Sequence, residues 1–314
     1  MHLIPTRAMY YFGVHLLYAS IVCLIAWLLT SIPRGRTTTK YWIWVATTLN
    51  FIVPLGAIAD ELGRGHLGWA TPLPLIGGPA SAITQGPNGG LLFGIWLLGA
   101  SLMFIRFISR LHADRANARG FADLQPLSLN GTFVAVGVPV RFTEGPGGPA
   151  VDGVLHPHIS LPKGIERLLS KEELTAVLMH EATHAERRDN LVRLIYEVGL
   201  CVLWFHPLVW LAGSRLSLYR ELSCDEPVIQ SARGMHLISA LKKLATPEQE
   251  FLLQSTASSL LTYRLAMLRA LPGRPTGIAS ALLVLAFGVL LVGGVLETVA
   301  HTACCFVVKK CAAR

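Results

Sequence analysis

The residues with the clearest chemical potential lie in S-K-E-E-L-T-A-V-L-M-H-E-A-T-H-A-E-R-R-D-N, which begins at Ser170. His180 and His184 are four positions apart, so on a helix both imidazoles project from one side. Two imidazoles placed in this way can bind one tetrahedral Zn²⁺ ion. Glu181 adjoins the first histidine and can act as a general base toward a water at the metal. The spacing predicts a zinc site suited to hydrolysis.

A third zinc ligand is expected in L-Y-R-E-L-S-C-D-E-P, which begins at Leu218. Glu221 and Asp225 are also four positions apart and therefore share a helix face. Glu221 is predicted to be the third ligand, which leaves the fourth position for water. Asp225 is predicted to accept a hydrogen bond from a ligand histidine and so to fix its tautomer. Cys224 points away from the face of Glu221 and is assigned to packing.

The H-E-x-x-H motif needs a helix, and the residues before it predict one. Ser170 followed by Glu173 forms a capping box, so a helix should start there. Its apolar face is supplied by Leu174, Val177 and Leu178. If this helix were simply amphipathic, the histidines would be surface residues. The second acidic motif is the observation that favours a metal site instead.

Two strands are predicted before this helix. Residues 132–142 alternate valines with small or polar residues, which indicates a strand. Residues 151–161 form a second candidate, interpreted as an edge strand because it contains Pro157. An edge strand beside the cleft could bind an extended substrate peptide by strand addition. Proline at Ile159 would test that hypothesis.

The composition predicts a membrane protein. Of the 314 residues, 52% are hydrophobic and only 15% are charged, whereas a soluble domain has roughly 25% charged residues. Four apolar runs are long enough to cross about 30 Å of hydrocarbon or nearly so. They cover residues 10–32, 41–59, 91–108 and 278–299.

The expected fold is therefore a mainly α membrane protein, with about four transmembrane helices and an inserted α+β, zincin-like cytoplasmic domain. Residues 1–110 form the N-terminal membrane region with three helices. Residues 111–272 form the cytoplasmic zinc metallopeptidase domain. Residues 273–314 contain the last transmembrane helix and a short tail.

The formal net charge of +8 is interpreted as a signal of membrane topology. Basic residues flanking apolar runs mark loops kept on the cytoplasmic side. Two groups of this kind follow the first and third runs: Arg34, Arg36 and Lys40, and Arg106, Arg110, Arg115 and Arg119. The N-terminus should therefore lie outside and the peptidase domain should face the cytoplasm. No nucleic-acid-binding motif accompanies the charge, so direct nucleic-acid binding is not expected.

An apolar segment between the two halves of the predicted site sets a constraint. If residues 198–211 crossed the bilayer once, Glu221 would lie about 30 Å from His184. A shared metal then requires this segment to turn back, as a re-entrant or interfacial hairpin. Pro207 supplies the expected break.

Several ordered motifs carry a family resemblance. They are H-E-A-T-H-A-E-R-R-D-N at 180–190, W-F-H-P-L-V-W at 204–210 and R-E-L-S-C-D-E at 220–226, preceded by G-V-L-H-P-H-I-S-L-P at 153–162. Together they resemble the BlaR/MecR-type membrane metallopeptidases, which are transducers of beta-lactam sensing. The resemblance implies zinc ligands at His180, His184 and Glu221, with Glu181 as the catalytic acid and base. Those transducers carry a large extracytoplasmic sensor domain after the last span. This chain ends at Arg314, so direct beta-lactam sensing is not expected.

The function that follows is that of a zinc endopeptidase in a bacterial inner membrane. It would cleave a cytoplasmic regulatory protein, such as a transcriptional repressor, or itself, and it can act as a homodimer. One alternative is a zinc protease of the quality-control or prenyl-protein type. The other is a signalling scaffold that binds zinc without cleaving anything. Glu181 argues against the scaffold, because a purely structural site has no use for a base.

Overall fold

The structure is a computed structural model that describes residues 3–32, 35–53, 89–118, 128–129, 132–133, 138–143 and 148–244, together with residues 264, 277, 280–282, 284–285 and 287–288. Three long helices come first: α1 (Leu3–Ser31), α2 (Thr37–Ile52) and α3 (Gly89–Ala118). Short strands follow: β1 (Ser128–Leu129), β2 (Thr132–Phe133), β3 (Val140–Thr143), β4 (Ala150–Asp152) and β5 (His158–Pro162). The described helices after them are α4 (Ile165–Leu168), α5 (Lys171–Glu186), α6 (Asp189–Leu203), α7 (Pro207–Gln230) and α8 (Gly234–Leu244). This part of the chain is mainly helical with a small sheet.

The larger sheet has the strand order β3-β5-β4, with β5 parallel to β3 and antiparallel to β4. The prediction of one edge strand over 151–161 is therefore wrong. The segment divides at Gly153, and its second half is the central strand. Pro157 precedes β5 and removes no hydrogen bond from it. The N–H of Ile159 donates to the Pro139 carbonyl at 2.8 Å, so Ile159 cannot receive a substrate by strand addition.

The strand predicted over 132–142 is also different in the structure. Only its two ends are strands among the described residues, as β2 and β3. Residues 134–137 lie outside the described part of the chain. β2 pairs with β1 in a separate two-stranded sheet.

Helix α5 begins where the capping box predicts. The N–H of Glu173 donates to Ser170 Oγ, and the N–H of Ser170 donates to the Glu173 carboxylate at 2.7 Å. The predicted apolar face is buried against the larger sheet, where it packs with Ile159 and Leu161 of β5. This contact fixes the helix that carries both histidines.

A second hydrophobic core joins α1, α2, α6 and α7. Its largest fully buried side chains include Trp44, Phe51 and Leu203. Helix α7 connects the two cores, since Leu222 belongs to this one and Val228 to the core beneath α5. Glu221 and Asp225 therefore lie where the two cores meet.

The apolar segment 198–211 does turn back. Helix α6 ends at Leu203 and α7 begins at Pro207, which occupies the first helical position and needs no N–H donor there. Close packing of the two helices depends on Gly213, because a methyl group at that position would overlap the Tyr196 ring and hydroxyl. The turn brings the second half of α7 back to α5.

The four predicted membrane spans correspond to the helices of the structure to different degrees. Among the described residues, one helix, Gly90–His112, is long and apolar enough to cross a bilayer, and a shorter apolar helix covers His15–Ser31. Many large apolar side chains of α3 are exposed, with Leu91 at 68% and Ile105 at 61%. The second run corresponds to α2, although residues 54–59 lie outside the described part. The run 278–299 and the loop 60–88 also lie largely or wholly outside it, so four spans remain a prediction.

Candidate metal centre

The imidazoles of His180 and His184 face each other on one side of α5. Their Nε2 atoms are 3.2 Å apart. The His180 side chain is only 7% exposed and that of His184 is 12% exposed. The helical spacing therefore places two potential ligand atoms in a shielded site.

Glu221 of α7 completes the group. Its Oε2 lies 3.6 Å from Nε2 of His180 and 3.8 Å from Nε2 of His184. A tetrahedral zinc ion with bonds of about 2.0–2.1 Å separates neighbouring ligand atoms by about 3.4 Å. The three distances are close to that value, so these residues fit a zinc ion without rearrangement of the helices.

Both histidines have a carboxylate at the other ring nitrogen. Asp189 Oδ2 lies 2.7 Å from Nδ1 of His184. Asp225 Oδ1 lies 2.9 Å from Nδ1 of His180, a short ion-pair distance that is not aligned as a hydrogen bond. Carboxylates at Nδ1 favour the tautomers whose Nε2 lone pairs point at the centre. Three electron-rich atoms then converge, which is a donor set that suits a cation.

The electrostatics of the centre also favour a cation. Burial lowers the pKa of His180, but Asp225 and Glu221 outweigh it and raise this pKa to about 9. Burial raises the pKa of the Glu221 carboxyl, but His180, His184 and Arg264 hold it well below its usual range. Without a metal, the charges of the two carboxylates are balanced by a proton on His180 and by Arg264. A divalent ion would compete for the proton's place.

Glu181 lies directly after His180 on α5 and is half-buried. Its negative charge is one of the causes that raise the pKa of His180, after the contributions of Asp225 and Glu221. Its assignment as the general base remains a prediction.

Arg264 is a member of the centre for which the sequence offered no motif. Its guanidinium donates to both Asp225 oxygens at 2.9 Å, and Nη1 lies 3.3 Å from Glu221 Oε2. Burial disfavours the charged guanidinium, but the adjacent carboxylates raise the pKa of Arg264. Arg264 follows Asp225 by 39 positions, so no local spacing could have connected the two.

Asp189 was also not predicted, although it lies within the quoted motif. Its position depends on Arg188, whose φ of 55° and ψ of 46° are left-handed and uncommon for a residue with a Cβ atom. This residue separates α5 from α6 and sets Asp189 at the first turn of α6, facing His184. A strained conformation beside a reactive site is a recurrent feature of proteins.

Cys224 does not reach the three converging atoms. It is buried, and Nη2 of Arg187 lies 2.9 Å from its Sγ. Its Sγ also forms, with atoms of His184 and Asp189, a second group of potential ligand atoms that lie within 4.8 Å of one another. The packing role assigned to Cys224 remains a prediction.

A helix carrying H-E-x-x-H, joined by a carboxylate from a later helix, is the arrangement of zinc-type metallopeptidases. Comparison with known families gives the more specific result. The model of the BlaR1 peptidase M56 family matches residues 83–268, which is more than half of the chain. The chain belongs to this family, and the resemblance read from its motifs is confirmed.

Individual relatives agree with the family. The chain is 25% identical over 241 residues to the regulatory protein BlaR1 of Bacillus licheniformis, a match covering 70% of this chain and 38% of that protein. It is 22% identical over 147 residues to the methicillin resistance mecR1 protein of Staphylococcus aureus (strain Mu50 / ATCC 700699), covering 43% of this chain and 24% of that protein. The Staphylococcus epidermidis protein gives the same figures. The chain spans well under half the length of these relatives.

Proposed function

We propose that this chain is a zinc-dependent endopeptidase of a bacterial inner membrane, with its metal centre facing the cytoplasm. The observation that carries the proposal is the convergence of His180, His184 and Glu221, whose ligand atoms lie within 4.8 Å of one another. Glu181, next to the first histidine, supplies the base that hydrolysis needs and that a structural zinc site does not.

His180, His184 and Glu221 would hold the zinc, which when bound supplies Lewis-acid polarisation of the scissile carbonyl. Glu181 takes a proton from the attacking water and delivers it to the leaving amine. Asp225 and Asp189 orient the two imidazoles.

The proposed substrate is a cytoplasmic regulatory protein, such as a transcriptional repressor, or the chain itself. The names of its relatives support this class, since one is a regulatory protein and the others are methicillin resistance proteins. No contact with nucleic acid is part of the proposal. A homodimer is compatible with it.

Two observations support the membrane placement. The exposed apolar surface of α3 needs a nonpolar environment, and lipid provides one. The end of α1 and the start of α2 both contact the helices of the metal centre, since Tyr219 donates to the Thr30 carbonyl and Tyr41 to Asp189. The end of α1 and the start of α2 therefore lie on the same side as the centre, as expected if the basic residues that flank them are kept in the cytoplasm.

Glu181→Gln provides the direct test. The amide keeps the shape of the side chain but cannot accept the proton, so we expect zinc content to be unchanged and cleavage to be lost. Protein N-termini in the native host would be compared between wild type and the variant. Glu186→Gln makes the same change at an exposed residue of the same helix and should match wild type.

N-termini that depend on Glu181 would establish proteolysis and identify the substrate. If wild type and Glu181→Gln gave identical N-termini, with zinc bound in both, the proposed peptidase activity would be overturned. The zinc-binding signalling scaffold would then replace it.

A further inference from the structure

The carboxylate of Asp189 holds His184 and is itself held by a second helix. Its Oδ2 accepts from Nδ1 of His184 at 2.7 Å and from Nη2 of Arg187 at 2.6 Å. Its Oδ1 accepts from the Tyr41 hydroxyl at 2.6 Å. Asp189 is 4% exposed. Tyr41 of α2 thus contacts the residue that holds His184, a proposed zinc ligand.

Tyr41 has little freedom to make any other contact. It is fully buried, and the Arg187 guanidinium lies over its ring at 4.2 Å from the ring centre. A buried tyrosine hydroxyl needs a hydrogen-bond partner. Asp189 meets this need, so rotation of either side chain would leave a buried polar group unsatisfied.

The first turn of α2 is attached to the other side of the centre as well. The Glu226 carboxylate of α7 accepts from the N–H of Thr38 at 3.0 Å and from the hydroxyls of Thr37 and Thr38 at 2.7 and 2.9 Å. A carboxylate at a helix N-terminus is a favourable arrangement. Glu226 directly follows Asp225, which faces His180. Helix α2 is therefore bonded to both helices whose carboxylates orient the histidines.

We propose that Tyr41 is a positioning residue of the metal centre and that α2 holds the centre in its binding geometry. The hydroxyl of Tyr41 fixes Asp189, and Asp189 holds the His184 ring with Nε2 turned toward Glu221 and His180. The inference rests on the proposed zinc site and adds to it a residue 139 positions before the first ligand.

The test is the zinc affinity of the full chain, purified in detergent and measured by competition with a coloured chelator. Tyr41→Phe removes the hydroxyl and keeps the ring beneath Arg187. We expect it to weaken zinc binding about tenfold, because groups that orient metal-bound histidines commonly contribute 10- to 100-fold.

Tyr219→Phe is the matched control. It also removes a hydroxyl with a 2.7 Å hydrogen bond inside the same core, but that hydroxyl donates to the Thr30 carbonyl of α1. We expect its zinc affinity to stay within about twofold of wild type. An equal loss in both variants would mean that any loosening of the helices weakens the centre, and would overturn the role of Tyr41.

A double-mutant cycle with Asp189→Asn tests whether Tyr41 affects zinc binding through Asp189. If Tyr41 acts through Asp189, Tyr41→Phe should weaken binding in wild type and have little further effect in the Asp189→Asn protein. A full-sized loss in both backgrounds would overturn the route, and wild-type affinity in Tyr41→Phe would overturn the proposal. If Asp189→Asn cannot be purified, the comparison of Tyr41→Phe with Tyr219→Phe decides.

The wild-type measurement separates this inference from the proposed function. Wild type should bind one zinc ion, and His180→Ala should abolish that binding. If wild type bound none, the metal centre and the role of Tyr41 would both be wrong. If wild type bound zinc and Tyr41→Phe bound it equally well, only the positioning role would be wrong.

Discussion

At the scale of single residues, the metal centre concentrates buried charge. Glu221, Asp225 and Arg264 have side chains that are 17%, 1% and 11% exposed. The guanidinium forms a two-pronged contact with Asp225, which is the strongest arrangement available to an arginine. Breaking such a network by removing one partner costs much more than the net value of the network, because the remaining charges stay buried.

We expect Arg264→Gln to destabilise the metal-free protein by about 3 kcal/mol. Zinc would supply the positive charge that the variant lacks. The increase in melting temperature on adding zinc should therefore be larger for Arg264→Gln than for wild type. Thermal unfolding in detergent, with chelator and with zinc, measures both quantities.

Arg167→Gln is the control for this change, because Arg167 is an exposed residue of α4. It should melt with wild type under both conditions. An equal zinc-induced increase in wild type and Arg264→Gln would show that Arg264 does not balance the charge of the centre.

At the scale of elements, the start of α5 is held by more than its own cap. Glu173 also accepts from Nζ of Lys243 at 2.7 Å and from Ser239 Oγ at 2.5 Å, both in α8. The contacts of Lys243, Ser239 and Ser170 lower the pKa of Glu173 to about 2. One carboxylate thus joins the first turn of the histidine-bearing helix to the last described helix of the domain.

The lowered pKa of Glu173 predicts how stability changes with pH. An unfolded glutamate has a pKa of about 4.3, so the unfolded chain binds the extra proton first as the pH falls. The stabilisation is therefore complete above about pH 4.3 and is lost as the pH falls toward 2. Glu173→Gln should melt below wild type at pH 7, and the difference should shrink across that window.

Thermal unfolding measured at several pH values would test this prediction. Glu166→Gln, at an exposed position of α4, should follow wild type throughout. A melting difference for Glu173→Gln that stayed constant down to pH 3 would argue against the ion pair as its source.

How much could be predicted from the sequence depends on how local each contact is. The capping box and the pairing of His180 with His184 follow from helical spacing, and the structure places both as predicted. Asp189 is only five positions from His184, but its contact depends on the left-handed Arg188. Tyr41 and Arg264 reach the centre across 148 and 39 positions. Neither hydrophobic periodicity nor a local motif can predict contacts between residues so far apart in the sequence.

The sheet illustrates the same limit. Pro157 indicated an edge because proline cannot donate a hydrogen bond within a strand. The structure places Pro157 just before β5, where its missing N–H removes no hydrogen bond from the sheet. The edge strands of this sheet are β3 and β4, and the Val151 carbonyl of β4 accepts from the Asn190 amide at 2.8 Å. Because Pro157 lies outside β5, it gives no information about which strand is at the edge of the sheet. The sequence pattern alone did not show where β5 begins.

At the scale of the whole molecule, the orientation in the membrane is the main prediction that remains. The sequence predicts a cytoplasmic loop near Arg34 and an external loop over residues 60–90. Alkaline phosphatase folds only outside the cytoplasm, so its fusion after residue 75 should be active and its fusion after residue 35 inactive. A reversed pattern would place the metal centre outside and would exclude cytoplasmic substrates.

The bond between Tyr41 and Asp189 also has a consequence for the order in which the protein is made. Tyr41 precedes Asp189 by 148 residues, so the ribosome synthesises α2 well before the helices that carry the histidines and their carboxylates. A fragment beginning after residue 110 would contain the whole H-E-x-x-H motif but would lack Tyr41 and the two threonines that donate to Glu226. If Tyr41 positions Asp189 as proposed, the centre reaches its binding geometry only once α2 is in place. A copy in which α2 was misplaced would keep the H-E-x-x-H motif but would lack the contact proposed to orient His184.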